Sequence, residues 1–169
     1  MLRLENFTEK DEQQLIAWIS DPRLLVQWAG SSFTFPLTSE QLEIYRQKAN
    51  CQIYKAVEGG LTVGHAALKN IDHINRSARV GHIFISSEER GKGLGLKMLE
   101  ALLEVSFNEL QLHKVSLGVF DFNEPAVHTY KKAGFQIDGC LLDHKLVDHE
   151  FWNLWEMSIL ESEWNVNDS

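Results

Sequence analysis

Cysteine is scarce in this chain, with only Cys51 and Cys140 among 169 residues. Two cysteines without C-x-x-C spacing argue against a disulfide framework and are typical of reduced thiols in a cytosolic protein. No apolar run approaches the roughly 18 residues of a membrane span. The N-terminus also lacks the basic segment and apolar stretch of a secretory signal. We therefore expect a cytoplasmic protein with no membrane partner.

Basic residues are in the minority. The chain has 16 Lys and Arg against 24 Asp and Glu, which gives a net charge of −8. A nucleic-acid-binding protein usually shows a basic surface, so we expect no nucleic-acid partner. An acidic field can raise the local concentration of amines, although the same charge also serves simple solubility.

The sequence contains enough apolar material for one globular domain, because 44% of its residues are hydrophobic and five are Trp. Hydrophobic periodicity predicts strands at 2–7, 52–57, 61–71, 77–85, 115–120, 135–142 and 154–160. It predicts helices at 8–19, 23–28, 38–49, 96–110 and 124–133. We expect a polar connection at 143–151 and a frayed tail at 161–169. This order indicates an α+β fold around one mixed sheet.

A glycine-rich turn, Arg90-Gly91-Lys92-Gly93-Leu94-Gly95, separates an apolar strand from a long amphipathic helix. Such a turn can hold a pyrophosphate, because backbone N–H groups and the helix N-terminus face the ligand. It matches neither the G-x-G-x-x-G dinucleotide fingerprint nor the P-loop. A plain surface turn is the alternative interpretation.

A second segment makes the functional interpretation of the turn more specific. Residues 123–135 read Asn-Glu-Pro-Ala-Val-His-Thr-Tyr-Lys-Lys-Ala-Gly-Phe. Together, Arg90-x-x-Gly93-x-Gly95 and this segment resemble the two acetyl-CoA motifs of the GNAT superfamily of N-acetyltransferases. The resemblance covers about 63–142. It is nearest in pattern to the branch of ribosomal-protein N-terminal acetyltransferases and spermidine acetyltransferases.

The resemblance implies a single GNAT-type domain over 1–169, with a central mixed sheet of about seven strands flanked by helices. The cofactor-binding core would occupy about 63–142, and the acceptor-side helices and loop about 8–50. The strands on either side of the cradle helix would splay apart. Acetyl-CoA would bind there, paired with the backbone of Ile83, Phe84 and Ile85, and no metal is implied. Gly81 could mark a β-bulge.

The resemblance also suggests roles for two side chains of the second segment. Tyr130 would be the general acid that protonates the departing thiolate, since a phenol can supply that proton. Asn123 would hydrogen-bond the pantetheine arm. The alternatives are a tyrosine packed in the core and a plain helix N-cap.

The general base and the acceptor pocket are less well defined. Related sequences often read Ala-Glu-Leu-Gly before the cradle, whereas this chain has Arg79 at the acidic position of Ala78-Arg79-Val80-Gly81. His82 or Glu156 could serve as the base instead. Structural roles are the alternative for both. Three aromatic residues of the acceptor-side region are candidates for the acceptor pocket: Trp28, Phe33 and Phe35.

We therefore expect an enzyme that transfers an acetyl group from acetyl-CoA to a primary amine by direct attack in a ternary complex. The acceptor would be a protein N-terminus or a small amine such as a polyamine or amino sugar. A catalytically silent acyl-CoA sensor and a nucleotide-binding regulatory domain are the alternatives. The sequence does not determine the oligomeric state, and a homodimer is compatible with it.

Overall fold

The computed structural model describes residues 1–167 of the chain. Its strands are β1 Arg3–Asn6, β2 Gln52–Glu58, β3 Leu61–Asp72, β4 Ser77–Ile85, β5 Lys114–Phe120, β6 Gln136–Val147 and β7 Glu150–Leu160. Its α-helices are α1 Glu12–Trp18, α2 Pro22–Ala29, α3 Ser39–Arg46, α4 Leu94–Glu104, α5 Glu124–Ala133 and α6 Glu161–Asn167. Short 3₁₀ turns cover Glu9–Asp11 and Ser87–Glu89, and a π-helical turn at Val105–Glu109 continues α4.

The seven strands form one sheet in the order β1-β2-β3-β4-β5-β7-β6. Every neighbouring pair is antiparallel except β4 and β5, which are parallel. The parallel pair requires a crossover, and α4 supplies it. The predicted α+β fold with a mixed seven-stranded sheet is confirmed.

The parallel pair is short, because β4 and β5 pair only over Ser77–Arg79 and Lys114–Ser116. Beyond Ser116, β5 stays paired with β7 through Phe120, whereas β4 runs on to Ile85 without β5 beside it. The two strands therefore diverge, and β5 does not pair with the backbone of the second half of β4. The predicted splay is confirmed.

A β-bulge lies in this second half of β4. Ala67 of β3 pairs with Gly81 and His65 pairs with Phe84, so β4 has one residue more than β3 between these positions. His82 takes up the extra residue with a left-handed φ of 52°. Gly81 lies directly beneath the Lys69 side chain, since a Cβ at Gly81 would lie 2.5 Å from Cε of Lys69 and would displace it.

The bulge changes which face of the sheet the side chains of β4 occupy. Before it, Ala78 and Val80 pack in the hydrophobic cluster beneath α4 and α5. After it, Phe84 belongs to the cluster formed with α1–α3, and the His82 ring contacts Trp28 of the same cluster. Strict alternation along β4 would direct the His82 side chain towards α4, but the bulge turns it towards α2 and α3.

The wide apolar stripe predicted for the cradle helix is buried as expected. Its buried residues include Leu94, Met98, Leu99, Leu102 and Leu103. Burial of such a stripe against the sheet is the main source of helix stability in proteins, so the position of the α4 N-terminus is fixed by the core.

Two expectations near the end of the chain are wrong. The segment 143–151 is not an irregular connection, because β6 and β7 continue to a two-residue turn at Asp148 and His149 with φ of 50° and 67°. Two successive left-handed residues make a tight hairpin turn that suits twisted strands. The tail is helical to Asn167, and Leu160 N donates to Glu163 Oε2 over 2.9 Å at the start of this helix. The remainder of the predicted frayed tail, 168–169, lies outside the described residues.

Candidate active site

The glycine-rich turn leads into the N-terminus of α4. Gly91 and Gly93 have left-handed φ values of 78° and 74°, and Gly93 is the N-cap of the helix. The first N–H groups of a helix have no partner within the helix, and they carry its partial positive charge. Ordinary side chains would be strained at both left-handed positions, so glycine allows the turn to present these groups.

A cavity of about 640 Å³ lies between α4, α5 and the diverging end of β4. It is lined by almost all of the predicted cofactor-binding residues: Ile83, Phe84, Ile85, Arg90, Gly91, Gly93, Leu94, Gly95, Asn123 and Tyr130. Lys92 is the exception, since its ammonium group lies 2.7 Å from the carboxylate of Glu89. The structure therefore brings the two sequence motifs to one site.

Arg90 places a positive charge at the entrance to this site. Its Nε donates to the backbone oxygen of Ile85 over 3.3 Å, and its guanidinium lies 5.5 Å from the centre of the Phe84 ring. These two contacts hold the side chain over the turn, close to the N-terminus of α4. An arginine in this position suits a phosphate ligand.

Tyr130 is positioned by the geometry of α5. Asn123 caps the helix by accepting from Ala126 N over 3.4 Å, and Gly134 ends it with a left-handed φ of 108°. The Tyr130 side chain lies in the core and reaches the cavity from this helix. Burial raises the pKa of its phenol, so the hydroxyl stays protonated across the neutral range.

His82 is enclosed by aromatic rings. Its ring centre lies 5.3 Å from that of Trp28, 5.6 Å from that of Phe33 and 5.0 Å from that of Tyr45. Burial, helped by Lys69, holds the pKa of His82 well below its usual value, so the imidazole is neutral at neutral pH. Within residues 1–167, neither ring nitrogen has a hydrogen-bond partner. A neutral imidazole with a free lone pair can accept a proton.

Glu156, the other candidate base, is occupied by an ion pair. Its two carboxylate oxygens accept from Arg79 Nη1 and Nη2 over 2.8 and 2.7 Å. Arg79, which stands in β4 where related sequences have an acid, thus forms an ion pair with the candidate base Glu156 of β7. Neither Glu156 nor His82 is among the residues that line the cavity, but His82 lies against Trp28, which does line it.

The three predicted acceptor-pocket aromatics separate into two groups. Trp28 and Phe33 stack with ring centres 5.3 Å apart, and Trp28 Nε1 donates to the backbone oxygen of His82 over 2.9 Å. Phe35 is 42% exposed and lines neither the cavity nor the ring cluster. The Trp28–Phe33 pair therefore borders the candidate base, and Phe35 does not.

Two further members of the ring cluster, Tyr45 and His65, were missed by the sequence analysis. The Tyr45 hydroxyl and His65 Nε2 lie 3.0 Å apart, and burial lowers the pKa of His65 to about 3. Helical spacing from Leu42 marks Tyr45 as buried, but no local pattern pairs it with a histidine of β3. The pair supports one side of the His82 ring.

The part of the chain that the structure describes contains no group of three or more His, Cys, Asp or Glu side chains arranged to hold a metal ion. Within the same residues, no helix is long and apolar enough to cross a membrane.

The comparisons with known proteins agree with this geometry. The model of the acetyltransferase (GNAT) family matches residues 23–135. This match extends from α2 through the cradle and α5, and it covers more than half of the chain. The protein therefore belongs to the GNAT family of acetyltransferases, which confirms the family that the two motifs predict.

Similar curated proteins include the spermidine N(1)-acetyltransferase of Escherichia coli K12, which is 32% identical over 105 residues. That alignment covers 62% of this chain and 56% of the relative, so it spans little more than half of the relative's length. The type 1 aminoglycoside N(6')-acetyltransferase of Klebsiella pneumoniae is 28% identical over 80% of this chain and 74% of its own. The spermidine N-acetyltransferase of Vibrio cholerae, solved with CoA and spermine, has a TM-score of 0.86 at 25% identity, over 97% of this chain and 98% of that one.

Proposed function

We propose that the protein is an acetyl-CoA-dependent N-acetyltransferase that acetylates a primary amine by direct attack in a ternary complex. One observation carries the proposal. The glycine-rich helix N-terminus, the unpaired end of β4 and Tyr130 all border the same cavity. This combination suits a ligand with a pyrophosphate at one end and an amide-containing arm at the other.

The residues of the cavity fit this ligand from end to end. The N-terminus of α4 and Arg90 would hold the pyrophosphate. The backbone of Ile83–Ile85 would pair with the pantetheine arm, because β5 does not pair with it, although Ile85 O also accepts from Arg90 Nε. Asn123 lines the cavity opposite, although its Oδ1 also caps α5. Acetyl-CoA supplies the activated acetyl group as a thioester.

Two side chains would handle protons: Tyr130, which lines the cavity, and His82, which lies behind Trp28. His82 would accept a proton from the attacking amine, since its imidazole is neutral and unpaired. Tyr130 would donate a proton or a hydrogen bond where negative charge develops on the departing sulfur. The walls of the site would align the two substrates, which by itself contributes much of the rate in such reactions.

The relatives support an amine as the acceptor but differ in its size. Their names specify spermidine, spermine and an aminoglycoside, and one protein of Bacillus subtilis is named a ribosomal N-acetyltransferase. A polyamine, an amino sugar and a protein N-terminus therefore remain the acceptors we propose to test. The alternative of a catalytically silent acyl-CoA sensor finds no support in these relatives.

The division into a cofactor-binding core at 63–142 and an acceptor side at 8–50 also remains a proposal. It is supported by the cavity at the cradle and by the aromatic cluster contributed by α2 and α3. The predicted absence of a nucleic-acid partner, the homodimer and the cytoplasmic location stay predictions.

Mixing the protein with acetyl-CoA and a library of amines should release free CoA thiol only when an acceptor is present. Mass spectrometry should then detect an acetyl group on the amine nitrogen. Thiol release that does not depend on any amine would contradict transfer in a ternary complex. Tight acetyl-CoA binding without turnover, across the whole library, would revive the sensor.

Replacing His82 tests the proposed base. Asn is the suitable substitute, because it tolerates the left-handed conformation that His82 adopts. General-base catalysis is typically worth about 10²–10⁴-fold, and we expect His82→Asn to lower kcat by about 10²-fold. Since the pKa of His82 is lowered, its base form is lost only as pH falls below that lowered pKa. The wild-type kcat/KM profile should thus show an acid limb below about pH 6.5, the ordinary histidine pKa, and the variant should lack it.

His149→Asn is the matched control, since His149 also has a left-handed φ but lies exposed in the β6–β7 turn. It should leave both kcat and the pH profile unchanged. A folded His82→Asn protein that retains the wild-type acid limb would assign that limb to another group and remove His82 from the mechanism.

A further inference from the structure

A second cavity, of about 330 Å³, lies on the α1–α3 face of the sheet, behind the bulge of β4. It is bordered by α3, by the end of β3 and by the His82 ring. Phe33 lines it, and Trp28, the stacking partner of Phe33, lines the cofactor cavity. The stacked pair of Trp28 and Phe33 therefore joins the linings of the two cavities, and the candidate base His82 lines the second.

The charge of this second cavity is positive. Lys48 and Lys69 line it, and none of the described residues that line it is an Asp or a Glu. Their neighbours Arg46 and Arg79 are neutralised by Glu12 and Glu156 at 2.8 and 2.7 Å. Within residues 1–167, neither Lys48 nor Lys69 forms such a pair. Two uncompensated lysines in a protein of net charge −8 mark a local exception to its acidic character.

Lys69 is held in place towards the candidate base. Its aliphatic chain packs on Gly81, so closely that a Cβ at Gly81 would lie 3.0 Å from Nζ. Burial lowers the pKa of Lys69, and the charges of Arg79 and Lys48 add to that effect. The charges of the same two lysines contribute to the lowered pKa of His82, which lines the same cavity.

This electrostatic pattern discriminates between acceptors. A polycation such as spermidine would bring a second ammonium group towards two unpaired lysines, and like charges repel. An amine that also carries an anion would find two donors without competing carboxylates. The positive field would further favour the neutral form of the reacting amine, which is the nucleophilic form.

Building on the proposed function, we infer that the acceptor is a primary amine that also carries an anionic group, a carboxylate or a phosphate, which binds Lys69 and Lys48. The amine end would lie at His82 and the anionic end at the lysines. The relatives named for spermidine would then share the cofactor half of the site with this protein but not its acceptor.

Acceptors of matched length test this inference. Thiol release is measured with ethanolamine, β-alanine, O-phosphoethanolamine and spermidine as acceptors. For at least one of the two anionic amines we expect a kcat/KM about tenfold or more above those of ethanolamine and spermidine, as charge-assisted hydrogen bonds would give. The comparison of β-alanine with O-phosphoethanolamine identifies the anion as carboxylate or phosphate.

Lys69→Met removes the charge and keeps an unbranched side chain over Gly81, and it relieves the cost of burying an ammonium group. In this variant the ratio of kcat/KM for the anionic amine to kcat/KM for ethanolamine should fall close to one. Calorimetry should also show weaker binding of the anionic amine to the free protein. Lys10→Met, at an exposed lysine of the first 3₁₀ turn, is the control that should change neither value.

The possible failures are distinguishable. Preferred acetylation of spermidine, unaffected by Lys69→Met, would overturn the inference and leave the proposed function standing. A preference for the anionic amine that survives in Lys69→Met would overturn the assignment of the anion site to this cavity. Absence of turnover with every amine would refute the proposed function and this inference together.

Discussion

Gly95→Val should reduce the affinity for acetyl-CoA by about a hundredfold or more, equivalent to ~3 kcal/mol of binding free energy. Gly95 lies in the first turn of α4 and lines the cofactor cavity, so an added side chain would occupy the space that the pyrophosphate needs. Isothermal titration calorimetry with acetyl-CoA measures the effect directly. Unchanged affinity would mean that the ligand does not approach the backbone at this turn.

The same substitution should leave the fold intact, which makes it more informative than a change at Gly93. A Cβ at Gly95 would meet only Thr129 Cγ2 at 3.8 Å and Ile85 Cγ1 at 4.0 Å, both ordinary contacts. Gly93 has a left-handed φ, so a side chain there would strain the turn whether or not a ligand binds. Valine is no worse than glycine inside a helix.

Gly139→Val provides the matched control for this experiment. Gly139 lies in β6, outside the cofactor cavity, and a Cβ there would meet nothing within 4 Å. Its valine variant should bind acetyl-CoA like the wild type. The melting temperatures of both variants should lie close to that of the wild type, so that loss of binding in Gly95→Val cannot be attributed to unfolding.

The two motifs that line the large cavity could be predicted because their signals are local. The cradle is six consecutive residues, and α5 has its cap at Asn123, its stop at Gly134 and Tyr130 between them. Helix caps and glycine turns depend on the residues immediately around them. No local signal predicts the splay of β4 and β5, because only the resemblance to the GNAT superfamily implied it.

The surroundings of the candidate bases could not be predicted, because their contacts join distant parts of the chain. Arg79 and Glu156 meet across β5, which lies between their strands in the sheet. No periodicity in either strand indicates that these two charges neutralise each other. Because this ion pair occupies Glu156, we propose His82 as the base.

The β-bulge in β4 also could not be predicted from the sequence of that strand alone. Gly81 marks the place in the sequence, but His82 adopts the left-handed conformation because the pairing of β3 with β4 skips one residue there. Such a shift depends on the register between the two strands, which the pattern of β4 alone does not contain. It is also the reason that His82 faces the aromatic cluster and the second cavity.

Tyr130→Phe should lower kcat by about 10²-fold, near the low end of general-acid effects because a thiolate is a good leaving group. The KM for acetyl-CoA should change little, since the hydroxyl would act mainly where charge develops on sulfur in the transition state. Because burial raises the pKa of Tyr130, the hydroxyl remains protonated throughout the neutral range, and its loss should not move the pH profile. Steady-state kinetics at saturating acceptor measure both constants.

Tyr54→Phe separates chemistry from packing in this prediction. Tyr54 and Tyr130 are 8% and 9% exposed and belong to the same hydrophobic cluster, but Tyr54 lies in β2 outside the cofactor cavity, where its hydroxyl donates to Gln52. Its phenylalanine variant should lose a little stability and keep its kcat. If Tyr130→Phe also keeps wild-type kcat at an unchanged melting temperature, the hydroxyl takes no part in the reaction. The rate would then come mainly from alignment of the two bound substrates and from proton removal at His82.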